Sequence, residues 1–291
     1  MCPGQGEGPV PGAGDPRRPA DLARPGTASD GSAPGGGEPI PLSAAQRATW
    51  FAQQLEPRVP IFIAQYVEFR GALDMDLLRQ ETVEAAREFE SPFLKVYDVD
   101  GRPLQYVDHR TDTSIAYVDF RAEEDPMSAA HEWMERDYVT PIDLSADRLV
   151  ETSILQTGDA HFLWYSRIHH VALDGYGAMT MLRRIAHRYS AKVAGREPDP
   201  NRAVSLRQLY DIDSRYRASD RFLTDREYWA ERVAGVEGTT LARTVGHVSA
   251  ASTVESAVLS NDVVAVLDSR DSPSAATIIA AAACYLARRH R

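Results

Sequence analysis

The sequence predicts a mixed α/β sandwich. Segments with the period of strands and segments with the period of helices are interspersed along the chain from Ile40 onward. The chain has 291 residues, enough for one large domain or two smaller ones. Its hydrophobic fraction of 43% and charged fraction of 25% are those of an ordinary globular protein with a filled core.

The first 39 residues differ from the rest in composition. They contain 8 of the 18 prolines and 10 of the 19 glycines, with few large apolar side chains. Burial of apolar surface cannot then offset the entropy lost on ordering this segment. We therefore predict a disordered tail over residues 1–39.

Two helices and four strands are predicted between Ile40 and Phe120. Ser43 and Gln46 have the spacing of a capping box, which predicts the start of the first helix. The pair Asp100-Gly101 predicts a tight hairpin turn. In order, the segments are a helix at Ser43–Leu55, a strand at Ile61–Phe69, a helix at Met75–Phe89, and strands at Leu94–Tyr97, Leu104–Val107 and Ser114–Phe120.

Four helices and two strands follow. The strands Leu149–Gln156 and His161–Ile168 are separated by a short turn that contains Thr157-Gly158-Asp159, which predicts that they pair with each other. The helix-period segments are Asp125–Tyr138, Tyr176–Ala194, Ser205–Ala218 and Asp220–Val233. This mixed order supports the α/β assignment.

The last 56 residues contain fewer predicted elements. A strand is expected at Ser252–Ser260, a short helix from Asn261, and a final helix at Ser274–Arg289. The final helix is apolar nearly all round, so we expect another part of the structure to bury it.

Charge and cysteine content exclude several classes of protein. The net charge of −10 argues against nucleic acid or an anionic membrane as the main partner. The two cysteines, Cys2 and Cys284, lie in the predicted tail and in an apolar helix, which favours a reducing cytoplasm over a disulfide framework. The sequence shows neither a membrane span nor a signal peptide.

The candidate site is the segment His169–Gly175, with the sequence HHVALDG. An apolar run, Phe162–Ile168, precedes it and a helical pattern follows, so the segment is predicted to form a strand-to-helix turn. An accessible histidine on a rigid turn can act as a general base near neutral pH. The structural alternative is a packed histidine, with Asp174 as N-cap and Gly175 for turn geometry.

Two motifs carry a resemblance to a known family. The HHxxxDG pattern at His169–Gly175 resembles the signature of the condensation domains of nonribosomal peptide synthetases, which belong to the coenzyme A-dependent acyltransferase superfamily. The segment Ser43–Trp50, SAAQRATW, resembles the opening motif of the same domains. The resemblance extends over about residues 40–291 and includes the sequence DGYG from Asp174.

The resemblance implies a fold and a domain organisation. The fold is a chloramphenicol acetyltransferase-like two-layer sandwich. Residues 40–235 correspond to a complete N-terminal lobe, and residues 236–291 to the beginning of a C-terminal lobe that is incomplete. Because the second lobe of the family walls one side of the active-site tunnel, we expect the 291-residue chain alone to have little or no activity.

The resemblance also implies residue roles. His170 matches the catalytic histidine of the motif, whereas His169 and Asp174 match structural positions and Gly175 matches a position beside the acceptor channel. In the family an arginine pairs with this aspartate. In this sequence Leu94 or its neighbour stands where that arginine is expected. Asp174 is therefore expected to pair with Lys95 or Arg167, or to rely on backbone N–H groups.

The implied reaction is amide formation between two thioesters on carrier proteins. A donor acyl, aryl or aminoacyl group and an acceptor amine each arrive on a phosphopantetheine arm, in a starter module similar to those of siderophore synthetases. The resemblance implies no directly bound cofactor and an adenylation domain downstream. The alternatives are a stand-alone acyltransferase that uses coenzyme A and a non-catalytic fragment or interaction module.

Two other readings of the motif are disfavoured. A metal site built from His169, His170 and Asp174 lacks the HExxH spacing and a nearby third soft ligand. A catalytic triad of Ser166, His170 and Asp174 would place the nucleophile within a strand instead of at an exposed elbow.

Overall fold

A computed structural model describes residues 37–235, 260–268 and 274–289. The chain divides into two compact units, Met1–Ala250 and Ala251–Arg291. The predicted tail at 1–39 lies outside the described residues except for its last three. The boundaries placed at residues 39 and 235 remain predictions.

The strands of the first unit agree with the sequence patterns in kind and in order. Within the described residues there are seven: β1 Ile40–Pro41, β2 Phe62–Arg70, β3 Leu94–Val99, β4 Arg102–Val107, β5 Ala116–Asp119, β6 Val150–Gly158 and β7 His161–His169. Only β1 was not predicted, because two residues are too few to show a period of two.

The helices agree as closely. The described part of the chain contains α1 Ala44–Leu55, α2 Met75–Glu88, α3 Pro126–Tyr138, α4 Gly175–Val193, α5 Leu206–Arg217, α6 Asp220–Val233, α7 Asn261–Asp268 and α8 Ser274–Arg289. A short 3-10 turn occupies Ser91–Phe93. The predicted capping box is present at α1, where the Ser43 hydroxyl accepts from the backbone N–H of Gln46.

A four-stranded sheet in the order β2-β7-β6-β5 supports the candidate site. Strand β7 is central and runs antiparallel to both of its neighbours, whereas β5 and β6 are parallel. This confirms the predicted pairing of the motif strand with its predecessor. The carboxyl end of β7, where the HHVALDG segment begins, is thus bordered by a strand on each side.

Alternate side chains of β7 enter two different cores. Trp164 and Ile168 belong to the larger cluster, to which α2 and α4 contribute Leu78 and Met181. Leu163 and Tyr165 enter a smaller cluster with Ala130 and Met134 of α3. Because alternate residues of a strand point to opposite faces, helices cover both sides of this sheet. Residues 162–169 are all buried, which explains the unbroken apolar run in the sequence.

A smaller sheet has the order β1-β4-β3. Its hairpin turns at Asp100 and Gly101, with φ values of 52° and 81°. Two successive positive φ values are typical of the tight turn that an Asp-Gly pair predicts. Strand β1 adds to β4 through the register of Ile40 with Gln105, and so places the start of α1 beside this sheet.

An ion cluster ties α4 to α2. Glu88 accepts hydrogen bonds from Arg184 and Arg188, and Arg188 also lies 2.8 Å from the buried Glu81. Burial raises the pKa of Glu88, but the two guanidinium groups outweigh this effect and lower the pKa overall. The end of α4 distant from the HHVALDG segment is therefore held by charge as well as by apolar packing.

The second unit is described only in part. Helices α7 and α8 pack against each other, and Ile278, Ile279 and Tyr285 of α8 are exposed. The predicted helix at Ser274–Arg289 is confirmed in its bounds. The strand predicted at Ser252–Ser260 lies outside the described residues except for Ser260. No helix among the described residues has both the length and the apolar character needed to cross a membrane.

Candidate active site

The HHVALDG segment forms the predicted strand-to-helix turn. Strand β7 ends at His169, and α4 begins at Gly175. The backbone N–H of His169 donates to the Leu149 carbonyl at 2.8 Å, and that of His170 donates to the Ile61 carbonyl at 3.0 Å. The residues that immediately precede β6 and β2 therefore hold the backbone of the turn from both sides.

His169 is fully buried, and both of its ring nitrogens have partners. Its Nδ1 accepts from the backbone N–H of Val171 at 3.1 Å, and its Nε2 lies 3.1 Å from the side-chain oxygen of Gln53. The ring meets Phe62 edge-to-face, with 5.3 Å between centroids. His169 is thus part of the scaffold and does not reach solvent.

Burial, with smaller contributions from the charges of His170 and Arg167, lowers the pKa of His169 to about 4. The ring is therefore neutral at pH 7. In the unfolded chain a histidine has a pKa of about 6.5. Between these values the unfolded state binds more protons than the folded state, so stability rises with pH in this window.

We expect the free energy of unfolding to fall by about 3 kcal/mol as the pH is lowered from 6.5 to 4, because each pKa unit corresponds to about 1.4 kcal/mol. Urea unfolding at several pH values measures this loss. The substitution His169→Gln should flatten the dependence, whereas His187→Gln, at an exposed position of α4, should retain it. An equal slope in all three proteins would contradict the assignment.

His170 is exposed, in contrast to its neighbour. Its backbone is fixed by Ile61, but its ring makes no hydrogen bond to any other residue within the range 37–235. The turn therefore presents one imidazole to solvent on a rigid backbone. Such a group can accept a proton from a substrate or donate a hydrogen bond to it.

Asp174 is exposed and caps α4. Its Oδ1 accepts from the backbone N–H of Gly177 at 2.7 Å. Both predicted basic partners are wrong. Lys95 donates to backbone carbonyl oxygens at 2.6 and 2.8 Å, and Arg167 contacts two other carboxylates. Of the three expectations for Asp174, the backbone N–H partner is the one present. Since Asp174 is in solvent, it needs no buried counter-charge.

The two glycines that follow Asp174 differ in their surroundings. A Cβ atom added at Gly175 would meet no atom within 4 Å, so the space beside it is open. A Cβ atom at Gly177 would lie 2.9 Å from Leu173 Cδ2 and 3.3 Å from Asp174 Oδ1. Packing thus constrains Gly177, which the sequence analysis named only as part of the DGYG tract, more strongly than Gly175.

The opening motif at Ser43–Trp50 contacts the turn directly. The side-chain nitrogen of Gln46 donates to the carbonyl of Val171 at 3.0 Å and to Gln105 Oε1 at 2.8 Å. One helical segment thus joins residues near the beginning of the described range to the HHVALDG segment, 125 residues later. The sequence identified Gln46 as a capping residue and missed this second contact, for which no local pattern exists.

A buried charged network lies beneath the turn. The guanidinium of Arg167 is 3.3 Å from Asp137 Oδ2 and 3.2 Å from Glu151 Oε2, and it donates to the carbonyls of Asp137 and Thr140. Its Cζ is 4.9 Å from the centroid of the Phe62 ring that contacts His169. Arg167 therefore connects β7 to the carboxyl end of α3 and packs against Phe62, which in turn contacts His169.

The described residues contain no group of three potential metal ligands. Ser166 is buried within β7, and its hydroxyl lies 3.4 Å from that of Thr152. Of the residues considered for a metal site or a triad, His169 and Ser166 are buried, Asp174 caps α4, and the His170 imidazole is exposed without a hydrogen bond among the described residues.

Comparison with known proteins gives concordant results. The family model described as the condensation domain matches residues 38–279. The chain is 35% identical over 198 residues to the isonitrile lipopeptide synthase of Streptomyces coeruleorubidus, covering 67% of this chain and 13% of the synthase. It is 32% identical over 194 residues to a dimodular nonribosomal peptide synthase of Bacillus subtilis strain 168, covering 66% and 8%.

Solved structures show the same likeness. A variant of the starter condensation domain of rhizomide synthetase, in complex with C8-CoA and Leu-SNAC, superposes with a TM-score of 0.68 at 32% identity. The match covers 72% of this chain and 48% of that domain. The similarity confirms the predicted fold class, and the chain spans about half the length of the solved domain.

Proposed function

The chain belongs to the condensation-domain family, and on this premise we propose that it catalyses amide bond formation between a donor acyl, aryl or aminoacyl thioester and an acceptor aminoacyl thioester. The observation that carries the proposal is the exposed imidazole of His170 on a turn whose backbone is held from both sides. A nucleophilic amine needs a fixed polar group of this kind beside it.

The reaction requires one proton to move from nitrogen to sulfur. The neutral amine of the acceptor attacks the thioester carbonyl carbon of the donor, a C–N bond forms, and the C–S bond breaks. His170 accepts the proton that the amine loses, or holds the amine and stabilises the tetrahedral intermediate while the proton passes to the leaving thiolate. The products are an amide on the acceptor and a thiol on the donor carrier.

The proposed partners are two carrier proteins that bring their substrates on phosphopantetheine arms. Each phosphopantetheine arm carries its substrate as a thioester, and the proposed reaction needs no cofactor bound directly to this chain. The open space beside Gly175 suits the passage of the acceptor arm, since no side chain stands there. An adenylation domain is the expected source of the acceptor aminoacyl group. A cytoplasmic location fits a reaction between such carriers.

We further propose a starter module, in which the first donor is an acyl or aryl group similar to those of siderophore synthetases. Similarity to the starter condensation domain of rhizomide synthetase supports this reading. A stand-alone acyltransferase would instead take its donor from coenzyme A and its acceptor as a free amine.

An assay with matched pairs of substrates tests the proposal. The gene product that contains this chain is given an octanoyl donor, either on a carrier or as the coenzyme A ester, and an aminoacyl acceptor, either on a carrier or free. Intact-mass spectrometry detects the amide. We expect the product on the acceptor carrier and none from the free acceptor.

Two other outcomes identify the alternatives. Product from the free acceptor and the coenzyme A ester would favour a stand-alone acyltransferase. Absence of product from every pair, with folded protein, would favour a non-catalytic interaction module.

A further inference from the structure

The hydrogen bonds of the buried His169 assign its tautomer. The backbone N–H of Val171 can only donate, so Nδ1, 3.1 Å away, is the unprotonated nitrogen. The neutral ring must then carry its proton on Nε2, which lies 3.1 Å from Gln53 Oε1. The side-chain oxygen of Gln53 thus accepts a hydrogen bond from the single N–H of the ring.

The orientation of the Gln53 amide is also determined. Its nitrogen faces three backbone carbonyl oxygens, those of Glu56, Pro57 and Val59, at 3.2 to 3.3 Å. Carbonyl oxygens cannot donate, so the amide nitrogen must point toward them. The amide oxygen is therefore directed at His169, and the opposite assignment would place acceptors against acceptors.

The segment held by this amide also holds His170. Ile61, two residues after Val59, accepts the backbone N–H of His170 at 3.0 Å. Gln53 thus contacts both the ring of His169 and the loop that supports the backbone of His170. At the other end of α1, Gln46 donates to the carbonyl of Val171. The two glutamines are seven residues apart, about two helical turns, and so share one face of α1.

We propose that Gln53 is a positioning residue for amide formation: it holds His169 in the Nε2–H tautomer and thereby fixes the turn that presents His170. Gln53 does not touch the reacting atoms and acts through His169. The inference rests on the proposed function of His170.

The substitution Gln53→Glu tests this with little change of shape. A carboxylate in place of the amide favours the protonated form of His169. It also removes the N–H donors to the three carbonyls. Once protonated, the ring would direct an Nδ1–H against the N–H of Val171, and the hydrogen bond that shapes the turn would be lost.

The groups around His169 determine how far a carboxylate at position 53 can favour protonation of the ring. Burial is the main cause of the low pKa of His169, and the charges of His170 and Arg167 lower it further, whereas Gln53 of α1 and Phe62 of β2 are neutral. The substituted carboxylate is thus the one negative group that would contact the ring among the described residues.

Two measurements are made on Gln53→Glu and Gln53→Leu. Nuclear magnetic resonance of the chain with 15N-labelled histidine follows the titration of the His169 ring, identified by its loss in His169→Gln. The kcat and KM for amide formation are measured against pH in the gene product that contains the chain. Gln54→Glu and Gln54→Leu are the matched controls, since Gln54 is the exposed neighbour on the same helix.

For Gln53→Glu we expect His169 to titrate at higher pH than in the wild type, and kcat to decline in acid over the same range. For both Gln53 variants we expect kcat at neutral pH to fall roughly 10- to 100-fold with KM nearly unchanged, as for a misplaced catalytic group. Both Gln54 variants should behave as the wild type.

Other results would overturn the inference. An unchanged titration of His169 in Gln53→Glu would refute the contact, whatever the activity. A shifted titration with unchanged kcat would refute the positioning role alone. Absence of amide from the wild type, despite a shifted titration, would refute the proposed function and with it the role of Gln53 in catalysis.

Discussion

Replacing His170 by alanine is expected to lower kcat for amide formation by about 100- to 10,000-fold, the range for loss of a group that transfers a proton. The ring is exposed while its backbone is fixed by Ile61, so its removal should alter chemistry and leave the fold intact. KM for the two loaded carriers of the proposed reaction should change little, because His170 is proposed to act at the reacting atoms alone. The measurement is single-turnover formation of the amide by intact mass in the gene product that contains this chain.

A second variant separates the two roles open to His170. His170→Gln retains a hydrogen-bonding group that cannot transfer a proton. Activity near that of the wild type in this variant would indicate positioning of the amine, and activity as low as that of His170→Ala would indicate a general base. His187→Ala, at an exposed histidine on α4, is the control and should be fully active. Near wild-type activity in His170→Ala would refute the catalytic assignment.

Replacing Arg167 by methionine is expected to destabilise the protein by about 3 to 5 kcal/mol, the range for removing one partner from a buried ion pair. The side chain is 1% exposed and lies within 3.3 Å of the carboxylates of Asp137 and Glu151. Methionine keeps most of the apolar stem, so the loss reports mainly the charge and its hydrogen bonds. The measurement is urea unfolding of the 291-residue chain at pH 7.

Arg183→Met is the matched control, because Arg183 is an exposed arginine of α4. It should change the free energy of unfolding by less than about 0.5 kcal/mol. Because the charge of Arg167 helps to lower the pKa of His169, the pKa of that ring should also rise in Arg167→Met. Equal stability of the two variants would show that the buried network contributes little.

Most of the fold could be predicted from the sequence because its signals are local. Capping residues, turn pairs and hydrophobic periods identified every long helix and strand of the first unit to within a few residues. The pairing of β6 with β7 followed from the short turn between them. Strand β1 was missed, since its pairing with β4 depends on a partner more than 60 residues away.

The site was predictable only where the motif is contiguous. The turn and its two histidines followed from the sequence, but the contacts of Gln46 and Gln53 depend on how α1 packs against β7. The partners of Arg167 were not foreseen, although an arginine within an apolar run indicates that a buried counter-charge must exist. For Asp174 the sequence left Lys95, Arg167 and backbone N–H groups open as partners, because sequence alone does not show that this residue is exposed.

The central place of β7 also determines which parts of the site can move. A strand joined along its length to a neighbour on each side cannot shift unless two ladders of hydrogen bonds break together. His170 begins where that strand ends, so its backbone belongs to the stationary part of the protein. If the chain acts on carrier-bound substrates as proposed, any movement that admits them must come from elements packed around β7, and each substrate must reach a histidine whose backbone does not move.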